Sequence, residues 1–400
     1  MKNCVLRRVK KRMNKQHTLL TLATTAFLIV LVVLVLYMNA STFHTYKIYE
    51  SGTISYENAK VTAVLEERLE PAEELPGWQV GNQKIIVKLE SGPMKGQEIT
   101  FDNNLSVTHN IHVKQGSSVI VKADRPEGAS SFYSLYNYNR APGLLSVALV
   151  FAVLLILVGR VKGLRSAAGL TIVLFFVIAF LIPAIYRGWS PVCAAVLTVL
   201  VVSLFSILLL NGFSSKSYTA LAAVGIGMLM SALFYKMISF LLLVSGYNIG
   251  EAQTLILVSR ATGLKIGEVL FASVLVASLG AVIDITVSVS SAMYEVKEKQ
   301  TELSSRELFR SGMAVGRDII GAQCMTLMLA FMGSALASLL ILMTYGAQLN
   351  QILSSDYANI EVLHGITGSL AVITAVPVTA GLCAALSQKD LTKKGSKLKG

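Results

Sequence analysis

The residues best suited to chemistry lie in an apolar stretch in the second half of the chain, where a single acid interrupts hydrophobic side chains. The stretch reads Gly280-Ala-Val-Ile-Asp284-Ile-Thr-Val-Ser288-Val-Ser-Ser291. On a helix, spacings of three and four residues place Asp284, Ser288 and Ser291 along one face. The same face carries Ala277, Ala281 and Glu295. This pattern predicts a stripe of small and polar groups that could bind an ion or another helix.

Asp284 lies close to the middle of this predicted membrane helix. An ionised carboxylate at that depth costs about 2.5–3.5 kcal/mol on insertion scales. We therefore predict that it faces the bundle interior, near hydroxyls, water, a cation or a basic side chain such as Arg317 or Lys236, or that it is protonated. Two interpretations stay open. Asp284 could carry an ion or a proton, or the polar and small residues could only fix helix packing. Glu295 fits a solvated helix end.

The next apolar stretch also opens with polar residues. We expect Asp318 near a helix start, where the helix dipole stabilises an acid, and Arg317 can reach water or phosphate headgroups. Further along the helix follow Gly321, which permits close helix approach, and the polar residues Gln323 and Thr326. One short loop joins the two helices, so we predict antiparallel neighbours. The predicted polar seam consists of Asp284, Ser288, Ser291, Gln323 and Thr326.

Lys236 interrupts another apolar stretch. Its long stem can carry the ammonium group to the membrane interface, or the group can pair with Asp284 or Glu268. Motifs for a phosphate-binding loop, a metal protease or a nucleophile elbow are missing from the sequence. We therefore expect no enzymatic activity, no cofactor and no metal.

The composition is that of a membrane protein. Of 400 residues, 54% are hydrophobic and only 14% charged, and the mean hydropathy is +0.62. Soluble domains carry about 25% charged residues. The net charge of +12 does not require nucleic acid, because Lys and Arg can gather on one side of a bilayer. The expected partners are the lipid bilayer and an ion or small solute, and not nucleic acid.

Eight apolar stretches are long enough to cross a membrane, which takes about 20 residues. The first follows a basic tail, residues 1–17, and is expected to be an uncleaved anchor rather than a signal peptide cut near Ala40. Seven more spans form the predicted bundle, 142–387. The spans are 18–38, 142–159, 166–186, 191–210, 218–242, 267–293, 317–344 and 361–387.

The distribution of basic residues predicts the topology. With alternating spans, most Lys and Arg fall in the two tails and in the loops between spans two and three, four and five, and six and seven. These regions then lie in the cytoplasm, including the basic tail, residues 388–400. The sequence thus predicts a multi-pass protein of the bacterial plasma membrane with both termini inside the cell.

Residues 39–140, between the first two spans, form a predicted extracytoplasmic β-rich domain. In the segment 84–90, Ile85, Val87 and Leu89 alternate as in a half-buried strand, and the turn 91–96 leads to a second strand. The expected fold is therefore mainly α, with about eight membrane helices and this small β domain. An envelope partner could bind to the domain.

With these residues in view, the sequence resembles the YibE/F-like family of bacterial multi-pass membrane proteins. The similarity lies in Gly280 to Ser291, in Gly312 to Gly333 with its Gly-Arg-Asp-Ile-Ile-Gly motif, and in the turn Ser91 to Gly96. One departure is Met325, where the family pattern has Asn. The resemblance implies a multi-pass membrane fold, and transport is the function usually suggested for such proteins.

Our leading hypothesis is therefore a transporter or permease for an ion or small solute, with Asp284 as the titrating or ion-binding group. The alternative is a non-transporting scaffold or sensor, in which the outer β domain binds a partner or an envelope component and the helices only anchor it. A cavity that reaches Asp284 would favour transport, whereas a tightly packed bundle with a groove on the β domain would favour the alternative.

Overall fold

The computed structural model describes residues 25–39, 53–73, 75–244, 256–260, 263–300 and 302–398. The chain divides into two compact units. The smaller is Lys47–Leu154, and the larger combines Met1–Tyr46 with Leu155–Gly400. Strands dominate the smaller unit and helices make up the larger one. The predicted combination of a mainly helical protein with a β-rich domain is confirmed.

Five antiparallel strands form the β domain, in the order β3-β2-β1-β4-β5 across the sheet. The turn predicted at 91–96 joins β2 to β3, and Gly92 and Gly96 adopt positive φ angles of 86° and 92° there. The strands are β1 Ile54–Pro71, β2 Gln79–Leu89, β3 Glu98–Leu105, β4 Ser118–Asp124 and β5 Phe132–Tyr138.

The long strand β1 shapes this domain, because it pairs with β4 along its first half and with β2 along its second. Bulges between Val61 and Ala63 and between Val64 and Glu66 increase its twist. Since β3 also contacts β5, the sheet curls into a half-barrel. The strand order is that of a five-stranded Greek-key barrel of the OB type.

Alternating side chains fill the half-barrel. Ile85, Val87 and Leu89 of β2 are buried and pack with Val119 and Val121 of β4. Burying each such side chain contributes about 1.5–3 kcal/mol. The period-two pattern read from the sequence therefore identifies the inner face of β2.

The described helices differ in length and in apolar character. A π-helical segment, Phe176–Leu181, connects α2 to α3. The helices are α1 Thr25–Asn39, α2 Ala141–Phe175, α3 Ile182–Tyr186, α4 Pro191–Asn211, α5 Ser215–Leu241, α6 Ile266–Lys299, α7 Ser305–Thr344, α8 Leu349–Leu353 and α9 Asp356–Leu398.

Within the described residues, six helical stretches are long and apolar enough to cross a membrane, and α1 is a shorter apolar helix. The sequence predicted eight spans. One difference lies in Ala141–Tyr186, a continuous stretch of 46 residues where two spans were predicted. Arg160 interrupts that stretch with a non-helical φ of 49°. The other lies in the first predicted span, because residues 18–24 fall outside the described part of the chain.

Helix α7 begins at Ser305 rather than at residue 317, where its apolar stretch was predicted to start. Ser304 and Glu307 form a capping box, in which each side chain accepts a hydrogen bond from the backbone N–H of the other. The first turns of α7 contain charged residues, so the apolar run in the sequence does not show where the helix begins. Arg317 and Asp318 therefore lie inside the helix, and the predicted dipole stabilisation of Asp318 is wrong, because that effect is confined to the first turn.

Helix α6 occupies the centre of the helical unit and contacts α4, α5, α7 and α9. Glycines allow α7 to approach its neighbours closely. A Cβ at Gly312 would overlap Met293 of α6, and a Cβ at Gly316 would overlap Val376 of α9. Gly321, which was predicted to permit such an approach, has no neighbouring atom within 4 Å of the Cβ position.

Candidate functional site

One face of α6 is accessible and carries only small or polar side chains. Ile285, Val289 and Met293 on the other faces are buried. Every exposed position between residues 273 and 295 falls on the accessible face, at spacings of three, four or seven residues. We call this face the α6 stripe, and it consists of Ser273, Ala277, Gly280, Ala281, Asp284, Ser288, Ser291 and Glu295.

Asp284 lies near the middle of the α6 stripe and has an exposed side chain. It forms no hydrogen bond or ion pair with another described residue. The sequence predicted that it would face the bundle interior, but its neighbours Val282, Ile283 and Ile285 take the buried positions. A carboxylate at membrane depth is costly beside acyl chains. The stripe therefore suits water, an ion or another polypeptide better than lipid tails.

A second polar cluster lies where α6 begins. Ser273 Oγ is 3.5 Å from His364 Nε2, and His364 Nδ1 is 3.7 Å from Glu361 Oε2. The His364 side chain is only 10% exposed, and its ring packs edge to face against Phe331 of α7. Glu361 and His364 are three residues apart on α9, which places both on the side of α9 that meets Ser273.

The hydrogen-bond directions in this cluster suit proton binding. The Ser273 hydroxyl donates to the Leu270 carbonyl at 2.7 Å, so it presents a lone pair to the ring. If His364 Nε2–H donates to that lone pair, Nδ1 of the neutral ring is an acceptor facing Glu361. A proton held between Nδ1 and the carboxylate then completes the arrangement. The Ser273–His364 and His364–Glu361 distances exceed ordinary hydrogen-bond lengths, so these side chains must move slightly closer to one another to share the proton.

Glu361 and His364 were not among the site residues predicted from the sequence. The signal was present, because two ionisable residues lie at a helical spacing inside an apolar stretch. The contact with Ser273 is tertiary, and it joins the cluster to the α6 stripe. Only the packing of α9 against α6 shows that connection.

At its other end the α6 stripe finishes with an exposed ion pair. Glu295 Oε1 lies 3.0 Å from Lys299 Nζ, one helical turn further on. Both side chains are more than half exposed. This geometry fits the solvated helix end expected for Glu295.

The polar residues of α7 are not joined to the stripe by hydrogen bonds. Gln323 is half-buried, and the exposed Thr326 hydroxyl donates to the carbonyl of Ala322 in its own helix. Arg317 and Asp318 are exposed on the same helix. Within the described part of the chain, none of these four side chains forms a hydrogen bond or ion pair with Asp284, Ser288 or Ser291.

Lys236 of α5 is also exposed and has no hydrogen-bond or ion-pair partner among the described residues. The pairing considered with Glu268 does not form, because Glu268 binds elsewhere. Its carboxylate accepts a hydrogen bond from Ser190 at 2.9 Å and lies 3.5 Å from Lys265 Nζ. Pairing with Asp284 does not form either.

Polar residues on the buried faces of α6 connect helices. Ser278 and Ser231 of α5 lie 3.4 Å apart through their hydroxyls, and the Tyr294 and Thr219 hydroxyls lie 3.0 Å apart. These contacts fit the packing role that polar groups have between membrane helices. They differ from the α6 stripe, whose central carboxylate has no such partner.

The β half-barrel contains the other notable carboxylate, Glu57, which is 2% exposed. Arg125 binds it through two contacts of 2.7 and 3.1 Å, and Ser55 donates a third hydrogen bond. The hydrogen bond from Arg125 lowers the pKa of Glu57, against the opposing effect of burial. The Arg125 guanidinium also lies over the Tyr133 ring, 5.6 Å from its centroid.

The described residues contain no group of three or more His, Cys, Asp or Glu side chains that could hold a metal ion. His112 of the half-barrel pairs instead with Glu67, at 3.3 Å.

Comparison with known proteins gives one match. The family model described as YibE/F-like protein matches residues 147–389, which include α4 to α7 and most of α2 and α9. No curated protein and no solved structure gives a significant match to the chain.

Proposed function

The chain belongs to the YibE/F-like protein family, and from that premise we propose that this multi-pass membrane protein transports an ion or small solute along the α6 stripe. The observation that carries the proposal is the character of the stripe. The central helix of the bundle has one accessible face, and that face is small and polar, with a carboxylate near its middle that has no partner among the described residues.

The length of the stripe supports a path across the membrane. From Ser273 to Glu295 a helix rises about 33 Å at about 1.5 Å per residue. The hydrocarbon core of a bilayer is about 30 Å thick. Polar side chains are therefore available to a permeating ion at the start of the stripe, at Ser273, and from Asp284 to Glu295, and the small residues Ala277, Gly280 and Ala281 separate these two parts.

We assign the roles along this path by chemistry. Asp284 binds the cation or proton, and Ser288 and Ser291 provide neutral oxygen ligands on the side where α6 ends. Glu361 and His364 provide a proton-binding pair on the side where α6 begins. Ionisable residues inside membrane proteins commonly mark such ion and proton pathways. We propose no enzymatic role, since the Ser273 hydroxyl donates to Leu270 rather than to His364.

We also propose the finer topology. The break at Arg160 can divide Ala141–Tyr186 into two spans, and the predicted span 18–38, which overlaps α1, counts as the first. Together with the other five candidate spans this gives eight. The basic tails then share one side, which the positive-inside rule assigns to the cytoplasm of a bacterial cell, with the β half-barrel outside.

The proposal is tested with the purified full chain in liposomes that contain pH-sensitive and cation-sensitive dyes. Gradients of protons, Na⁺, K⁺ and Mg²⁺ are imposed in turn. We expect at least one gradient to collapse faster than in protein-free liposomes, and Asp284→Asn to abolish the difference. Glu361→Gln and His364→Gln should slow the same flux.

Asp356→Asn is the matched control, because Asp356 begins α9 and lies away from the stripe. It should transport as the unsubstituted protein does. If Asp284→Asn is equally active, Asp284 has no part in the mechanism. If no gradient collapses faster, the transport proposal fails for these ions.

A second candidate, a scaffold or sensor, draws support from an exposed aromatic pair on the half-barrel. Tyr56 and Tyr136 are both at least half exposed, and their rings pack edge to face with centroids 4.8 Å apart. Exposed aromatic groups are common in binding surfaces. Binding of cell-envelope fragments that is lost in Tyr56→Ala, together with the absence of any flux, would favour this function.

A further inference from the structure

An apolar cavity lies at the end of the bundle where α5 finishes and α6 begins. Its volume is about 820 Å³, within the range of about 300–1,000 Å³ typical of ligand pockets. Residues of α4, α5 and α6 line it, and most are apolar. The lining includes Leu229, Leu233, Phe240, Val244 and Phe271.

Three of the four polar side chains in the lining already have partners. The Tyr235 hydroxyl donates to the Gly267 carbonyl, and the Ser239 hydroxyl to the Val244 carbonyl. Glu268 is bound by Ser190 and Lys265. Each of these groups therefore helps to build the wall of the cavity.

Lys236 is the polar lining residue that has no partner among the described residues. Its ammonium group leaves the cavity with an excess positive charge, because Lys265 balances Glu268. Lys236 lies near the C-terminal end of α5, and Glu268 lies in the first turn of α6. The charge is thus at one end of the membrane-spanning helices, at the depth expected for a lipid headgroup.

We propose that this cavity binds one anionic phospholipid, with an acyl chain against its apolar wall and the phosphate of the headgroup on Lys236. The apolar lining matches the chain, and the unpaired ammonium matches the phosphate. An ammonium group beside an apolar wall, with no anion next to it among the described residues, attracts the phosphate of an anionic headgroup. The site is separate from the α6 stripe and does not depend on transport.

Trp189 provides a reporter, because it directly precedes Ser190, which binds Glu268 of the cavity wall. The only other tryptophan is Trp78 of the half-barrel, so Trp78→Phe leaves a single fluorophore. The full chain with this substitution is placed in phosphatidylcholine vesicles. Dibrominated phosphatidylglycerol, dibrominated phosphatidylcholine or dibrominated stearate is then added, and quenching of Trp189 is measured.

We expect phosphatidylglycerol to quench at about fivefold lower mole fraction than phosphatidylcholine, since one basic residue contributes about 1 kcal/mol towards an anionic lipid. Lys236→Gln should remove the preference and Lys236→Arg should keep it. Lys216→Gln is the matched control, because Lys216 lies at the opposite end of α5. It should behave as the parent protein does.

A variant that keeps the charge tests the cavity itself. Ala232→Leu narrows the apolar wall, so quenching by both phospholipids should weaken while the preference remains. The proposal is overturned if the parent protein shows no preference, if Lys236→Gln keeps it, or if Lys216→Gln loses it equally. Stronger quenching by stearate than by phosphatidylglycerol would overturn the assignment to a phospholipid.

Discussion

Each of the two units contains a notable carboxylate, and the surroundings of these two carboxylates differ. In the β half-barrel, Glu57 is buried and bound by Arg125 and Ser55. In the helical unit, Asp284 is accessible and has no hydrogen-bond or ion-pair partner among the described residues. A buried carboxylate that is bound cannot lose its partner without destabilising the fold, whereas an unbound one costs free energy at membrane depth. The difference separates a structural role for Glu57 from the transport role that we propose for Asp284.

The largest effect is expected for Glu57→Gln. Removing one partner of a buried pair leaves the Arg125 charge uncompensated, so the half-barrel should lose about 3–5 kcal/mol of unfolding free energy. Urea unfolding followed by Trp78 fluorescence, in a Trp189→Phe background, measures this change. Glu66→Gln is the control, because the Glu66–Arg68 pair is exposed and should contribute less than about 1 kcal/mol. Equal losses of unfolding free energy in Glu57→Gln and Glu66→Gln would show that the buried pair contributes no more to stability than the exposed one.

The pH dependence of the half-barrel should follow the same pair. The pKa of Glu57 is lower in the folded state than its ordinary value of 4.5, mainly through the hydrogen bond from Arg125. Its stabilising contribution is therefore complete above about pH 4.5 and is lost as the pH falls through the folded-state pKa. The difference in urea midpoint between the parent and Glu57→Gln should shrink below pH 4.5. A difference that stays constant down to pH 3 would contradict this assignment.

An intermediate effect is expected in the bundle, where glycines of α7 allow close contact with neighbouring helices. Gly316→Ala places a Cβ against Val376, a stiff side chain that is fully buried, and should cost about 1–3 kcal/mol. Gly321→Ala makes the same change on α7 where nothing lies within 4 Å. Thermal unfolding in detergent should therefore show a lower melting temperature for Gly316→Ala alone. Equal melting temperatures for the two variants would contradict the close contact between α7 and α9 at Gly316.

The smallest loss of stability is expected for Asp284→Asn. No partner is lost and a charge is removed, so the unfolding free energy should not fall while flux disappears. Thermal unfolding and liposome flux of the same preparation measure both quantities. A loss as large as that of Glu57→Gln would make Asp284 a structural residue and remove the contrast between the two units.

The sequence predicted more of the half-barrel than of the bundle surface. Alternation of Ile85, Val87 and Leu89 identifies a strand, and it also identifies the buried face, because a strand has only two faces. The strand order and the Glu57–Arg125 pair depend on residues that are far apart in the chain. Local sequence patterns therefore do not predict them.

For the helices, apolar runs identify most of the candidate spans. They miss the start of α7, because the charged residues after Ser304 end the apolar run while the capping box continues the helix. The α6 stripe was also predicted, including Asp284, Ser288 and Ser291. The direction in which the stripe faces was not, since a helix can present any face to its neighbours.

By itself, the sequence determined the membrane class, the existence of the β domain and the residues that share a face of α6, because these follow from composition and from the periods of strand and helix. The tertiary structure alone decided that the stripe is accessible, that His364 and Glu361 lie at its end, and that Lys236 faces an apolar cavity. Those features depend on which helix packs against which, and helix packing depends on the shapes of distant side chains.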